Sequence, residues 1–231
     1  MLIYSSNTIL LTALFIALLI LCGVFYSIFI LSTEGINLSV TTELKNQSWW
    51  FLFVDVSPER APIIITFVAI LMMMIFSVSA GLLFRNLFRK TTSAEIFFFC
   101  LFIFSLSTEG LRIFNFLLIQ ARLPYTLTVL GTKAVLWGRI SGLLFLFCAS
   151  LYAAEFRYYK FGIIISITLA GSLILSYIIP VKTSIFLTHF IHPIGDEYGI
   201  FIISAGFSII TLINLLIASL QRDRQLLFVL I

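Results

Sequence analysis

Six apolar runs of about 20 residues, separated by short polar connections, constrain this chain more than any motif in it. They cover residues 8–31, 61–84, 94–119, about 130–154 (its start open from Tyr125 to Ala134), 161–179 and 199–219. The hydrocarbon core of a bilayer is about 30 Å thick, which about 20 helical residues cross. Inside it no water satisfies backbone N–H and C=O groups, so such runs must be helices that close their own hydrogen bonds. The expectation is an all-α integral membrane protein. It is a six-transmembrane-helix bundle forming a single polytopic domain over residues 1–231, with the lipid bilayer as its first partner. Composition agrees: 61% of residues are hydrophobic and 10% charged, where soluble domains carry about 25% charged residues. The 25 phenylalanines read as packing and lipid-facing bulk.

Orientation is read from the connections. Loops 85–93, 155–160 and 220–225 carry Arg85, Arg89, Lys90, Arg157, Lys160, Arg222 and Arg224. The opposite loops carry Lys45, Arg60, Arg122 and Lys182. Positive charge stays on the cytoplasmic side, which predicts a cell (inner or plasma) membrane protein with both termini cytoplasmic and loop 36–60 outside. Trp49, Trp50, Phe51 and Phe53 in that loop are the residues of an interfacial aromatic belt. The net charge of +4 is accounted for by these loops, so no nucleic-acid partner is expected. Met1 to Asn7 has no Lys or Arg and no small-x-small cleavage site follows, which predicts a retained first helix. Ser184 to Ile194 is too short to span and ends at Pro193, so it is expected as a short outer interfacial or re-entrant helix.

The chemistry of the chain concentrates in Leu106 to Asn115. Glu109, Arg112 and Asn115 follow one another at i, i+3 steps inside a lipid-like segment. A bare charge at bilayer depth costs roughly 2.5–3.5 kcal/mol even on lenient scales, so such residues face a bundle interior, pair, or perform a task. Counted from the cytoplasmic anchor Glu95, Glu109 lies roughly 21 Å into the membrane and Arg112 roughly 25 Å. Counted from Glu155, Arg139 on the antiparallel fourth span lies roughly 24 Å in. The three charges should therefore meet at one level. Ala134, Gly138 and Gly142 give the fourth span a seam of small residues for close helix approach. Lys133 falls further out, near or within an outer mouth. With it the count is one carboxylate against three cations.

Weaker signals surround this step. Leu31 to Gly35 repeats Leu106 to Gly110 letter for letter, which leaves duplication and coincidence both open, with Glu34 a second mouth carboxylate if the copy is real. His189 and His192 stand at i, i+3 with Asp196 close behind, a weak metal candidate. Cys22, Cys100 and Cys148 lie in apolar runs and read as small buried hydrophobes without a disulfide framework. Asn214 is expected to hydrogen-bond between helices. There is no H-E-x-x-H, G-x-S-x-G or Walker A sequence, so neither an enzyme nor a cofactor is expected.

The functional expectation is a multi-pass protein that binds, and by its setting could transport, a small anionic solute between spans three and four. Its ligand residues would be Glu109, Arg112, Asn115, Lys133 and Arg139. The bland counterpart is a salt-bridged clasp between those spans. The alternative function is a sensory, regulatory or structural subunit acting through a membrane or cytoplasmic protein partner.

Overall fold

A computed structural model describes residues 2–34, 44–45, 61–87, 93–154, 161–182, 186–187, 190–195 and 197–229. The described residues are helical apart from one two-residue strand pairing, an isolated bridge and short connections. Helix α1 runs Leu2–Glu34 and α2 Ala61–Leu87. The third apolar run is built in three pieces: α3 (Ala94–Ser105), a 3₁₀ turn (Leu106–Gly110) and α4 (Leu111–Gln120). Helix α5 (Tyr125–Ala153), α6 (Phe161–Ile178) and α7 (Glu197–Val229) complete the set. Strands β1 (Leu44–Lys45) and β2 (Phe186–Leu187) pair in parallel.

Among the described residues, five helical stretches are long and apolar enough to cross a membrane: Asn7–Leu31, Ile65–Asn86, Ala94–Gln120, Tyr125–Ala153 and Gly199–Leu220. The apolar helix Gly162–Ile178 is shorter. These apolar helices fit a membrane-embedded protein. Helix α5 begins at Tyr125, the early end of the range left open for it, where the Pro124 ring presets the entry. One boundary differs from expectation, since α7 continues to Val229. The segment expected as a short outer helix is a correction as well. Its described residues are the extended pair Phe186–Leu187 and the bends from Phe190 onward, with Val181 and Ile194 bridged antiparallel.

Helix α5 is the axis of the bundle. It packs against α3, the 3₁₀ turn and α4 on one flank and against α6 and α7 elsewhere, while α1 and α2 pack on each other and on the third run. Three apolar clusters fill the spaces. Val24, Ile70, Met74, Ile113, Phe116 and Phe190 form one, with Phe190 ringed by Phe67 at 4.9 Å and Phe116 at 4.6 Å. Ala17, Val78, Cys100 and Phe104 form the second, and Phe98, Leu101, Phe145 and Ala149 the third. The phenylalanines divide as expected, with Phe98 and Phe116 buried and Phe15, Phe29 and Phe76 on the outer face. Of the cysteines, Cys100 is buried and Cys148 half-buried, but Cys22 is exposed on the apolar outer surface of α1, which corrects its reading as core.

Polar groups tie the helices where packing alone would let them slide. Ser77 Oγ on α2 donates to the Ile103 carbonyl at 2.6 Å. Trp137 Nε1 on α5 donates to the Leu169 carbonyl of α6 at 3.2 Å. Asn214 Nδ2 on α7 donates to Ser150 Oγ on α5 at 3.3 Å, as its isolated polar position predicts. Only 6% of the apolar window of α7 is buried, so α7 is the outermost helix and hangs largely on α5.

Candidate functional site: an ion cluster between the third and fourth runs

The 3₁₀ turn is the local device that sets up the site. Ser105, Ser107 and Thr108 each donate a side-chain hydrogen bond to the carbonyl three residues back, all at 2.7 Å. Hydroxyls that back-bond in this way compete with regular helical bonding and bend the backbone. A mid-helix 3₁₀ stretch is a recognised mark of a hinge or a constrained site. Here it turns Glu109, only 6% exposed, toward α5.

Both oxygens of Glu109 are taken by arginine. Oε1 accepts from Arg139 Nε at 2.6 Å, and Oε2 from Arg139 Nη2 at 3.0 Å and Arg112 Nη1 at 2.9 Å. The Arg139 contact is a two-pronged fork, the strongest geometry for this pair. Glu109, Arg112 and Arg139 are thus brought together as the depth count predicts. The guanidiniums are not equivalent. The Arg112 side chain is 12% exposed and that of Arg139 36%. Along α5, Val135, Leu136 and Gly142 are buried, whereas the Arg139 side chain keeps about a third of its surface uncovered. Among the described residues, Arg139 Nη1 has no hydrogen-bond partner.

Close approach of the helices comes from glycine. A methyl group added at Gly138 would run into Thr108 Oγ1, at Gly142 into Ser105 Oγ, and at Gly131 into Asn115 Oδ1. The seam expected from Gly138 and Gly142 therefore exists, and it continues to Gly131. Each of these glycines receives a polar side chain of the third run.

Asn115 and Lys133 are placed apart from the ion cluster. Asn115 is 1% exposed, and its Nδ2 donates at 3.4 Å both to Thr132 Oγ1 and to the Phe190 carbonyl. It belongs to a second polar layer, roughly 9 Å toward the Pro124 end. Lys133 Nζ donates to the Tyr177 carbonyl at 2.6 Å and lies 4.6 Å from the Tyr177 ring centre. A cation at the carboxyl end of α6 is favoured by the exposed carbonyls there. Without Lys133, the cluster counts one carboxylate against two cations.

The second layer was not legible in the sequence. His192 is fully buried. Its backbone N–H donates to Thr132 Oγ1 at 3.3 Å, and its Nε2 meets Thr128 Oγ1 at 2.9 Å. Thr128 gives its own proton to the Tyr125 carbonyl, so its oxygen accepts from the ring. Phe190, at φ 61°, is one of two non-glycine residues with left-handed backbone among the described residues, a conformation bulky residues adopt only when surroundings impose it. Asn115 and His192 stood out singly in the sequence, and the Thr128, Thr132 pair at i, i+4 on α5 was the further signal that could have joined them. Of the weak metal candidates, His189 and Asp196 lie outside the described residues. Among the described residues no three His, Cys, Asp or Glu side chains could hold one ion.

No protein-family model, curated protein or solved structure matches the chain. The internal repeat gives no help either. Leu31 to Glu34 is the ordinary end of α1, whereas Leu106 to Gly110 is a 3₁₀ turn inside a run, and Gly35 lies outside the described residues.

Proposed function

We propose that this protein binds, and in its membrane setting transports, a small anionic solute at Arg139, with Glu109 and Arg112 as the supporting charges. The single observation behind this is the open end of Arg139. Glu109 takes its Nε and Nη2, and among the described residues its Nη1 has no hydrogen-bond partner, on a side chain that is 36% exposed. Arginine recognises carboxylates and phosphates through paired N–H groups, so the open end of Arg139 is a ready-made half of such a contact. The work is binding, and no catalytic role is assigned to any residue.

The membrane placement belongs to the same proposal. Helix α6 is 18 residues long, roughly 27 Å. It serves as a sixth span in a slightly thinned or tilted setting. The buried Phe190 and His192 support a re-entrant loop in place of the expected outer helix, since non-helical backbone at membrane depth survives where protein covers it. The loop charge bias supports both termini in the cytoplasm of a cell-membrane protein.

A specific observation also favours the clasp. Glu109 has no oxygen left over, so the trio is electrostatically useful even without a ligand. Native mass spectrometry of the purified protein separates the two readings. A bound anion in the wild type that disappears in Arg139→Gln supports the site, and a ligand-free spectrum with no anion-dependent stabilisation leaves the clasp.

A further inference from the structure

We infer that residues 190–195 are a plug that closes the Pro124 end of the site, and that the plug is fastened to the end of α6 and moves with it. The inference concerns access to Arg139, and it rests on the anion-binding reading above only for what the route carries. Thr132 and Thr128 precede Arg139 by seven and eleven residues, which on a helix places all three within roughly 20° of one line. That line runs along α5 from Arg139 toward the Pro124 end. Thr128, Thr132, Val135 and Leu136 are all buried, so the stripe is covered although Arg139 itself is 36% exposed.

The cover comes from the loop, and side chains of the bundle hold it there. The Phe190 carbonyl accepts from Asn115 at 3.4 Å, the His192 N–H donates to Thr132 at 3.3 Å, and His192 Nε2 meets Thr128 at 2.9 Å. The Phe190 ring fills the space between Phe67 and Phe116 and keeps its own backbone in the left-handed region. None of these contacts belongs to a helical ladder, so the loop can leave without unwinding α4 or α5. The seal is also incompletely satisfied, since Asn115 Oδ1 is buried with no hydrogen-bond partner among the described residues, an arrangement that costs stability. Toward α6 the fastening is made by backbone. Lys182 N–H donates to the Pro193 carbonyl at 2.9 Å and Gly195 N–H to the Pro180 carbonyl at 2.7 Å, beside the bridge of Val181 with Ile194. Gly195 permits this approach, because a methyl group there would strike the Pro180 ring. The same end of α6 is strapped to α5 by Lys133 at the Tyr177 carbonyl, while Ile174, Tyr177 and Ile178 are exposed. Displacing the end of α6 therefore draws the plug with it.

The test is thiol labelling of detergent-purified Val135→Cys with a small anionic methanethiosulfonate, read at each cysteine by mass spectrometry of the digested protein. Val135 is buried on α5 between the two threonines and Arg139, so its labelling rate reports opening of the stripe. Phe190→Ala, added to that background, should raise the rate at position 135 at least about ten-fold, because the ring no longer fills its cluster. Thr128→Val removes the acceptor of His192 Nε2 without emptying the core. It should raise the rate several-fold, and it keeps the test open if Phe190→Ala does not fold. Lys133→Met releases the strap on α6 without touching the plug and should raise the rate as well. Cys100, buried in a different cluster, is the internal control and should label no faster in any variant. An unchanged rate at position 135 in Phe190→Ala and Thr128→Val, or one that rises only in step with Cys100, would overturn the plug. A rise in those two variants but none in Lys133→Met would overturn the coupling to α6. Thermal stabilisation by acetate is measured on the same proteins, and its absence from wild type and variants alike would overturn the anion-binding reading while leaving the labelling result to judge the plug.

Discussion

Replacing Glu109 by glutamine should unfold the protein more readily than any other single change at the cluster. The carboxylate receives three donors at 2.6, 2.9 and 3.0 Å and is the counter-charge of two arginines. Glutamine can accept on one side only, and its NH₂ would then face a guanidinium donor on the other. If the loss were merely one of hydrogen bonds, the cost inside a membrane would average about 0.6 kcal/mol per bond. Breaking a buried ion pair from one side instead costs about 3–5 kcal/mol, because an uncompensated charge remains. The exposure of Arg139, at 36%, relieves part of this, whereas Arg112 at 12% has little relief. The charge term still exceeds the bond term, and about 3 kcal/mol is expected. Equilibrium unfolding of purified protein in mixed detergent–SDS micelles measures it, with Glu109→Gln/Arg139→Gln as the companion that should recover most of the loss. A single variant within about 0.6 kcal/mol of wild type would show that the arginines are already solvated and refute the buried cluster.

Two further outcomes follow from the packing and the loop charges. Gly138→Leu and Gly142→Leu should destabilise far more than Leu143→Ala, by about 1–3 kcal/mol or beyond, because Thr108 and Ser105 stand where the new side chains must go. Equal thermal stability for all three in detergent would mean that this seam does not hold the helices together. Cysteines introduced at Ser39 and Thr92 should differ in intact cells, with Ser39 labelled by an impermeant reagent and Thr92 protected. The reverse pattern would invert the proposed orientation.

How far the sequence could be read depended on whether the relevant contact follows from helical arithmetic. Glu109, Arg112 and Arg139 were legible because two antiparallel helices with charged anchors at the same end can be measured in residues, and equal depth brings equal levels together. The Gly138 and Gly142 seam was legible for the same reason. Gly131, seven residues from Gly138, lies within roughly 20° of it around α5 and could have been included. Lys133 was misjudged by depth alone. It stands six residues from Arg139, roughly 240° around the helix, and so faces α6 rather than the cluster. The layer of Asn115, Thr128, Thr132 and His192 stayed hidden because Phe190 and His192 reach α4 and α5 from a loop whose pattern carries no helical period. The same loop was expected as a helix from its apolar content, which its antiparallel bridge and the left-handed Phe190 overrule.

The most direct test of the anion site is the charge swap Glu109→Arg with Arg139→Glu, followed by both unfolding and acetate-dependent thermal stabilisation. The swap keeps the local charge sum, so the bundle should recover the stability lost in Glu109→Gln. It moves the open fork from α5 to the 3₁₀ turn, and arginine recognises anions by geometry as well as charge, so the response to acetate should be lost. A swapped protein that folds and still responds to acetate as the wild type does would contradict the assignment of the site to Arg139 and leave the trio as a clasp between two helices.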